Sequence, residues 1–369
     1  MKIALVHDYL VQHGGAERVL ECFCELFPNA PVYTLVYDKG VMGETFTHCN
    51  IHTSSLQKIP FARTKHRIFP LFMPMAIEEF DFSKFDIVLS DSSSFAKGIV
   101  TRPETLHISY VHTPMRYAWD DCQKYTRDFG LPKLIEKIVP FMMNAVRVWD
   151  HASSNRVDEY IANSNFVSRR IKKYYNKSAV VINPPVDINN FFVDAKNVGD
   201  YYLMVGRLIA YKRHDIAVKA FNKLKLPLKI IGRGPEFKSL KKIAKNNIEF
   251  LGRVDDKDLA KYYAHAKAFV FPQEEDFGIV AIEAMAAGRP IIAYQGGDIV
   301  EHVENKKMGI FFNEQTPEAL IQAITNFKKY KFDPYYIRQQ SKKFDREIFK
   351  RKMKNYIDEV FSIHIKNKL

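Results

Sequence analysis

Short apolar runs alternate with amphipathic stretches along this chain, a pattern that predicts β-strands followed by helices. The first run, at 3–6, is followed by a loop with Gly14 and Gly15 and then by apolar residues at helical spacing. Further runs are short and rich in β-branched residues, as expected of strands covered on both faces in a parallel sheet. They lie at 31–36, 86–90, 107–111, 160–163 and 179–182.

The rhythm breaks at 183–200, where Pro184, Pro185 and the polar residues that follow predict an extended linker. It then restarts, with strands expected at 202–205, 228–231 and 248–251 and helices at about 213–224, 236–245 and 256–265. We therefore expect an α/β protein of two Rossmann-like, doubly wound domains, whose ligand lies at the carboxyl ends of the strands and in the cleft between the domains. The expected bounds are 1–183 for the first domain, 184–199 for the linker, 200–345 for the second domain and 346–369 for a basic amphipathic helix.

The second half contains the most informative stretch, residues 266–297. A strand at 268–271 is followed by an acidic loop, a helix that begins near Phe277 and ends at Gly288, and another strand. Glu275 precedes this helix and Glu283 lies two turns into it, so both carboxylates could face a ligand over the helix N-terminus. Such a site suits a molecule that is polyhydroxylated at one end and anionic in the middle.

Composition restricts the class of protein. The length of 369 residues and a hydrophobic content of 47% suit two or three globular domains. Four cysteines without a CxxC pair favour a reducing cytoplasm over a structural zinc site. The sequence has neither a signal-peptide pattern nor an apolar run of the roughly 18–20 residues that a bilayer span requires. We therefore expect a cytoplasmic protein.

The basic charge balance admits three kinds of partner. Lys and Arg number 55 and Asp and Glu 42, a net charge of +13, which suits nucleic acid, anionic lipid or a phosphorylated small molecule. The basic residues are spread along the chain, without a zinc finger, an RGG run or helix-turn-helix spacing. Nucleic acid is therefore the least favoured partner.

Cations and glycines follow several predicted strands. Arg207 ends the first strand of the second half and Lys212 comes five residues later. Together these cations can neutralise a diphosphate, although either one alone is more often a solvated surface charge. The loops with Arg233 and Val254 end the next two strands, where main-chain groups could hold a base or simply form ordinary turns. Gly14 and Gly15 either leave room for a ligand at a helix N-terminus or form a tight turn that binds no ligand.

His112 follows a predicted strand, in the segment HTPMRYAWD at 112–120. An imidazole at the carboxyl end of a strand can act near a reacting group. A lone histidine is usually structural, but the polar and aromatic residues around this one suit a wall that contacts a sugar.

Two segments mix basic and apolar residues, 56–80 and 131–149. Such mixtures suit contact with a membrane interface or a lipid-linked acceptor. An irregular segment that packs on its own domain explains 56–80 equally well.

These motifs together resemble the retaining glycosyltransferases of family 4, which have the GT-B architecture. The resemblance is carried by Glu275-x7-Glu283 within EEDFGIVAIEAMAAGRPIIA, by GRL-x3-K at 206–212, by IGRGPE at 231–236 and by Gly14-Gly15, and it covers nearly the whole chain. HTPMRYAWD, ANS at 162–164 and INPPVD at 182–187 further resemble the O-antigen and exopolysaccharide mannosyltransferase-like subgroup.

The resemblance implies a role for each motif. Glu275 would hold the donor sugar, Glu283 the ribose, and Arg207 with Lys212 the diphosphate. Main-chain groups around Gly278 and Ile279 would help to bind the phosphates, Arg233 and Val254 would lie near the base, and His112 would lie beside the transferred sugar. Gly14 and Gly15 would leave room for phosphate and acceptor. Asp276 stands where many relatives have glycine, and the C-terminal helix would cross back to the first domain.

The implied function is transfer of a hexose, most simply mannose from GDP-mannose, to a lipid-linked or growing polysaccharide acceptor at the inner face of the cell membrane. The mechanism would be metal-independent and would retain the configuration at the anomeric carbon, with the acceptor attacking on the face from which the diphosphate departs. The nucleotide sugar would be the donor, and neither a cofactor nor nucleic acid would take part. Three alternatives stay open at this point: a UDP-sugar-dependent glucosyl- or N-acetylglucosaminyltransferase, a nucleotide-sugar epimerase of the same fold, and a non-catalytic module that binds a membrane or nucleic acid.

Overall fold

The computed structural model describes residues 1–65, 69–120 and 133–367, and the chain forms two compact units. Unit 1 comprises Met1–Pro185 and Phe349–Leu369, and unit 2 comprises Val186–Ile348. Each unit is an α/β layer structure in which short apolar strands pair in parallel and helices follow them.

The described residues of unit 1 form a seven-stranded parallel sheet of order β3-β2-β1-β4-β5-β6-β7. Its strands are β1 Ile3–Leu10, β2 Val32–Tyr37, β3 Ile51–Thr53, β4 Ile87–Ser92, β5 Leu106–Val111, β6 Glu159–Ala162 and β7 Val180–Val181. Its helices are α1 Gly15–Leu26, α2 Lys39–Met42, α3 Ala62–Lys65, α4 Met73–Glu78, α5 Lys133–Ser153 and α6 Asn165–Tyr175.

The described residues of unit 2 form a six-stranded parallel sheet of order β10-β9-β8-β11-β12-β13. Its strands are β8 Tyr202–Val205, β9 Leu228–Ile231, β10 Ile248–Gly252, β11 Ala268–Phe271, β12 Ile291–Tyr294 and β13 Gly309–Phe312. Its helices are α7 His214–Leu224, α8 Phe237–Ile243, α9 Asp256–Ala264, α10 Ile279–Ala286, α11 Pro317–Phe327 and α12 Pro334–Ser341, and α13 Arg346–Lys366 follows at the boundary of the units.

The order of the strands places one switch point in each sheet. In unit 1, the strands that follow β1 are added on one side of it and the strands that follow β4 on the other, so the switch point lies between β1 and β4. In unit 2, it lies in the same way between β8 and β11. Ligands of open parallel sheets bind outside the carboxyl ends of the strands at such points. These two edges are therefore where functional side chains are expected.

The C-terminal helix α13 belongs to unit 1. Phe349, Met353 and Ile357, spaced by four residues along one helix face, are buried in the core that also contains Leu5, Phe23 and other residues of the first sheet. This confirms the part of the fold prediction that returned the C-terminal helix to the first domain.

The segment expected to be a linker, 184–199, differs from that expectation from residue 186 onwards. Val186, Ile188 and Phe191 are buried in the core of unit 2, because the polar stretch carries an apolar side chain every two or three residues. The loop therefore packs on unit 2.

Several observed elements were not predicted, among them β3, β13 and α5 and the helices α2, α3, α4, α6, α11 and α12. β3 has only three residues, and β13 begins with Gly309, a residue that disfavours strands. α5 contains Pro140 in its interior, a residue that normally argues against a helix. Within the described ranges, the structure contains no helix with the length and apolarity of a membrane span.

Candidate active site

The switch point of unit 2 brings together residues that follow β8 and β11. Gly206 and Arg207 come directly after β8, and Lys212 ends a 3-10 turn at Ala210–Lys212. Gln273 and Glu275 follow β11, after Pro272 has ended the strand. Because β8 and β11 are hydrogen-bonded neighbours, the two loops lie side by side.

Lys212 and Glu275 form an ion pair across these loops. Lys212 Nζ contacts Glu275 Oε1, and the two side chains are only 12% and 15% exposed. Gln273 Nε2 donates to the same Glu275 oxygen at 3.2 Å. Gln273 Oε1 is buried without a hydrogen-bond partner among the described residues. The cation assigned to the diphosphate and the carboxylate assigned to the sugar thus neutralise each other here.

Glu283 lies in the second turn of α10 and is 2% exposed. The hydroxyl of Tyr263, itself buried, donates to Glu283 Oε2 at 2.9 Å and lies 3.1 Å from the carbonyl oxygen of Val280. A buried carboxylate requires such donors, because an unsatisfied charge in the interior is costly. Tyr263 therefore orients Glu283.

The N-terminus of α10 depends on Gly278. This residue has φ +89°, and a Cβ there would lie 2.9 Å from the ring of Phe271. Only glycine adopts that backbone without strain and lets the helix begin against the strand. Ile279 is the first helical residue, so the free N–H groups and positive dipole end of α10 lie next to the Glu275 loop.

The loop after β9 packs directly against the backbone of the loop after β8, and the loop after β10 lies beside it. Gly232 has φ +143°, and a Cβ there would lie 1.9 Å from the carbonyl oxygen of Gly206. Arg233 is exposed, and Val254 is half-buried against the core of unit 2. Both lie at the carboxyl edge of the sheet, but no hydrogen bond or ion pair among the described residues joins either of them to Glu275.

A chain of buried and half-buried ionisable groups occupies the switch point of unit 1. His112 Nε2 lies 2.5 Å from Asp91 Oδ1, and the other oxygen of Asp91 lies 2.8 Å from His7 Nδ1. The far nitrogen of His7, Nε2, lies 3.8 Å from Glu17 Oε1. His112 is thus the end of a network that runs from α1 through β1 and β4 to the loop after β5.

The network sets the charges of its central members. Burial by itself would lower the pKa of His7, but the carboxylates of Asp91 and Glu17 outweigh it and raise that pKa to about 10. Burial likewise tends to raise the pKa of Asp91, and His112 and His7 together bring it below its usual value. At neutral pH, His7 is therefore a buried cation between two carboxylates, and Asp91 is ionised and fixes the ring of His112.

The loop that carries His112 is held from several sides. The amide of Asn163 donates to the carbonyl oxygen of His112 at 2.9 Å. Arg170, nearly buried, binds Thr113 Oγ1 at 2.5 Å and pairs with Asp120. Trp119 stacks on Tyr174 with ring centroids 4.6 Å apart. The aromatic and polar residues expected to line a sugar site thus mainly stabilise the loop itself.

Gly14 and Gly15 lie where β1 leads into α1, Gly14 as the residue before the helix and Gly15 as its first residue. A Cβ at position 14 would lie 3.1 Å from Glu17 Oε2. The glycine therefore gives space to a carboxylate of its own helix.

His7, Asp91, Tyr263 and Gln273 were not predicted. His7 and Asp91 did carry a signal, because each is a polar residue near the carboxyl end of an otherwise apolar strand. Tyr263 carried none, since it lies on α9 among ordinary helix-face residues. Within the described part of the chain, no group of three or more His, Cys, Asp or Glu side chains has an arrangement that could hold a metal ion.

Two sequence families cover most of the chain. The family described as "Glycosyltransferase Family 4" matches residues 13–190, and the family described as "Glycosyl transferases group 1" matches residues 187–344. The two matches meet where the structure divides into its units.

Among curated relatives, O-antigen chain mannosyltransferase C of Escherichia coli is 28% identical over 46% of this chain and 50% of its own length. A GDP-mannose-dependent alpha-(1-6)-phosphatidylinositol monomannoside mannosyltransferase of Mycobacterium tuberculosis is 29% identical over 32% of this chain and 36% of its own length. The chain thus spans half or less of the length of these two relatives.

A solved structure covers the whole fold. Alr3699/HepE of Anabaena, in complex with UDP and glucose, superposes with a TM-score of 0.71 at 17% identity, over 97% of this chain and 99% of that one. With two parallel-sheet units and this superposition, the predicted GT-B fold is confirmed. The chain therefore belongs to the glycosyltransferases of the GT-B fold, with a family 4 region followed by a group 1 region.

Proposed function

We propose that this glycosyltransferase moves a hexose from a nucleotide sugar to a lipid-linked or growing polysaccharide acceptor, with retention of configuration. The observation that carries the proposal is the edge of unit 2 where Lys212, Glu275 and the start of α10 lie together, with Glu283 buried in that helix. A cation and a helix N-terminus suit a diphosphate. Two carboxylates suit the hydroxyls of a ribose and a hexose.

The roles follow from burial and charge. Lys212 and Arg207 bind the diphosphate together with main-chain N–H groups near Gly278 and Ile279. Glu283, held by Tyr263, accepts from the ribose hydroxyls. Before the donor binds, Glu275 neutralises Lys212, and the incoming diphosphate takes over this cation and releases Glu275 to the hydroxyls of the sugar. The loops of Arg233 and Val254 flank the base.

The chemistry uses charge stabilisation at the leaving group. When the anomeric C–O bond breaks, positive charge develops on the sugar and negative charge on the diphosphate. Lys212, Arg207 and the helix N-terminus stabilise that negative charge more in the transition state than in the ground state, which lowers the barrier. The acceptor hydroxyl attacks on the same face and passes its proton to the departing phosphate oxygen. Asp91 fixes the ring of His112, which we assign to the transferred sugar.

GDP-mannose is the donor we favour. Two relatives are named as mannosyltransferases, and the name of one includes GDP-mannose. The aligned regions cover less than half of this chain, so they support the donor without extending to the acceptor.

A panel assay tests the donor and the reaction class together. The full chain is incubated with GDP-mannose, UDP-glucose and UDP-N-acetylglucosamine, with and without an extract of lipid-linked glycans, and the anomeric configuration of the product is determined by proton NMR. We expect acceptor-dependent release of GDP and an α-linked product. Turnover of a UDP-sugar alone corrects the donor, an altered sugar nucleotide without acceptor identifies an epimerase, and an inverted linkage contradicts the mechanism. The absence of turnover with every donor contradicts the proposal.

The acceptor is proposed to reach the enzyme from a membrane at the inner face of the cell. Exposed apolar side chains of unit 1 support this contact. They are Phe61, Phe72 and Met75 from 56–80, and Ile138 and Phe141 from 131–149. The basic residues Lys58 and Arg63 lie in the first of these segments. Phe141 is 78% exposed and Met75 70%. Such side chains bind the headgroup region when basic residues lie nearby. Residues 66–68 and 131–132 of these segments lie outside the described residues.

Sedimentation with vesicles tests this contact. The wild-type chain is expected to sediment with vesicles that contain 30% anionic lipid. Phe141→Ser together with Met75→Ser should reduce the partition coefficient by about a hundredfold, since each buried apolar side chain contributes roughly 1.5 kcal/mol or more. Val300→Ser, an exposed apolar residue of unit 2, is the matched control. A wild-type chain that stays in the supernatant contradicts the membrane contact.

A further inference from the structure

A cavity of about 270 Å³ opens at the switch point of unit 1. Its polar lining comes from the end of β1, the loop after β4 and α1, and its apolar lining includes Tyr9, Phe95, Met73 and Met143. The volume is just below the roughly 300–1,000 Å³ of typical small-molecule sites. The cavity therefore accommodates one compact group.

Glu17 contributes an unsatisfied carboxylate oxygen to this cavity. The residue is 3% exposed, and only its Oε1 faces His7. Oε2 is buried without a hydrogen-bond partner among the described residues, although Glu17 lines the cavity. A buried, ionised oxygen without a donor is costly, and a ligand hydroxyl would remove that cost. Gly14 keeps the position beside Oε2 open.

The neighbouring carboxylate is already satisfied. Asp8 also lines the cavity, but its two oxygens accept from the backbone N–H groups of Ser93, Ser94, Phe95 and Ala96 at 2.6–2.9 Å. These bonds hold the 93–96 loop as one wall of the cavity. Of these two carboxylates, Glu17 is therefore the one that can accept a hydrogen bond from a ligand in the cavity.

From this geometry, we infer that Glu17 is an acceptor-binding residue that receives a hydrogen bond from a hydroxyl of a neutral sugar ring seated in the cavity. The inference rests on the proposed function, because it assigns the acceptor side of the same transfer. The apolar face of a sugar ring packs on the tyrosine, phenylalanine and methionine side chains, while its hydroxyl edge meets Glu17. The rest of the glycan extends out of the opening.

The charge at the site selects against anionic groups. A phosphate or a uronic acid carboxylate would face Glu17 at short range in a poorly solvated cavity, where like charges repel strongly. His7 also lines the cavity and is a cation, but it lies between Glu17 and Asp91, so these two carboxylates already neutralise its charge. The terminal residue of the acceptor is thus a neutral sugar, rather than a lipid phosphate or an acidic sugar.

Saturation-transfer NMR on the full chain tests this inference without requiring turnover. The probes are methyl glycosides of glucose, galactose, mannose, rhamnose and N-acetylglucosamine, compared with methyl glucuronide, methyl galacturonide and farnesyl phosphate. We expect at least one neutral glycoside to bind and the anionic probes to bind at least tenfold more weakly. Absence of binding by every neutral glycoside, or stronger binding of an anionic probe, overturns the inference.

Two variants locate the binding at Glu17. Glu17→Gln keeps the shape and removes the charge, and Glu17→Asp keeps the charge for His7 but withdraws the oxygen by one methylene. Both should weaken the neutral glycoside about tenfold or more, as expected for loss of a hydrogen bond to a charged group. Glu25→Gln, on an exposed part of the same helix, is the control and should leave binding unchanged. Wild-type affinity in both Glu17 variants overturns the assignment.

Nucleotide binding separates this inference from the proposed function. Titration of the wild-type chain with GDP and UDP tests the unit 2 residues to which the diphosphate and ribose are assigned, and it does not require Glu17. Glycoside binding without nucleotide binding would contradict the proposed function and support the cavity as a sugar site. Nucleotide binding without glycoside binding would contradict the inference alone.

Discussion

The ion pair between Lys212 and Glu275 makes a prediction about the sign of two mutational effects. Glu275→Gln removes the charge that competes with a diphosphate for Lys212, whereas Glu283→Gln removes the charge that strengthens the hydrogen bonds from the ribose. Affinity for a nucleoside diphosphate should therefore rise in the first variant and fall in the second. Turnover should fall in both, because the sugar loses its carboxylate in one variant and the nucleotide its anchor in the other.

The size of each effect follows from burial. Opposite charges about 4 Å apart attract by about 4 kcal/mol at an effective dielectric constant of 20. Desolvation offsets most of this attraction, but the pair is better shielded than surface pairs, which contribute about 0–1 kcal/mol. We expect about 1–2 kcal/mol, which is a roughly 5- to 30-fold tighter affinity for Glu275→Gln. Glu283→Gln weakens charged hydrogen bonds worth roughly 1.5–3 kcal/mol each, so about tenfold weaker binding is expected.

Isothermal titration with GDP and UDP measures both effects. Glu274→Gln is the matched control, because Glu274 is an exposed neighbour in the same loop that forms no ion pair among the described residues. It removes one negative charge without freeing Lys212, so its affinity should stay within about twofold of wild type. Loss of nucleotide affinity in Glu275→Gln comparable to that in Glu283→Gln would refute the reasoning.

Three further predictions concern the scaffold of the two sites. Tyr263→Phe removes the hydroxyl that donates to buried Glu283 and should lower the free energy of unfolding by about 1–3 kcal/mol; an unchanged urea midpoint would show that the bond is dispensable. Gly232→Ala places a Cβ 1.9 Å from a backbone carbonyl at φ +143° and should cost about 3 kcal/mol or more; in the same urea assay, a loss below 1 kcal/mol would be inconsistent with this geometry. The pKa of His7 is raised from 6.5 to about 10, so its stabilisation is complete below pH 6.5 and is lost as pH rises through 10. Melting temperature should fall between pH 7 and pH 10, with a smaller slope in His7→Gln, and equal slopes would contradict the assigned charge.

The fold could be predicted from local pattern to a large extent. Strands such as β8, β9 and β11 were predicted with their observed bounds, because each is a short apolar run that a glycine or a proline ends. The pattern failed where its signal is weak. α5 contains Pro140, and the supposed linker hides Val186 and Ile188 in a polar context.

The candidate residues could be predicted as individual positions but not as pairs. Lys212 and Glu275 are 63 residues apart and were assigned separate roles in the sequence analysis. Their spacing along the chain does not reveal that they form an ion pair when no nucleotide sugar is bound. His7 and Asp91 are 84 residues apart and meet only because β1 and β4 are neighbours in the sheet. Contacts of this kind depend on strand order, which local periodicity does not determine.

The central claim is that the switch point of unit 2 binds the diphosphate of a nucleotide sugar through Lys212. The most direct test is titration of the wild-type chain and of Lys212→Met with GDP and UDP. Lys212→Met both removes the cation and leaves the Glu275 charge beside the phosphates without a neutralising cation. The account predicts that the wild-type chain binds at least one of the two nucleotides and that this affinity falls by tenfold or more in the variant. If the wild-type chain binds neither nucleotide, or if the variant binds as tightly as the wild type, the central claim is contradicted.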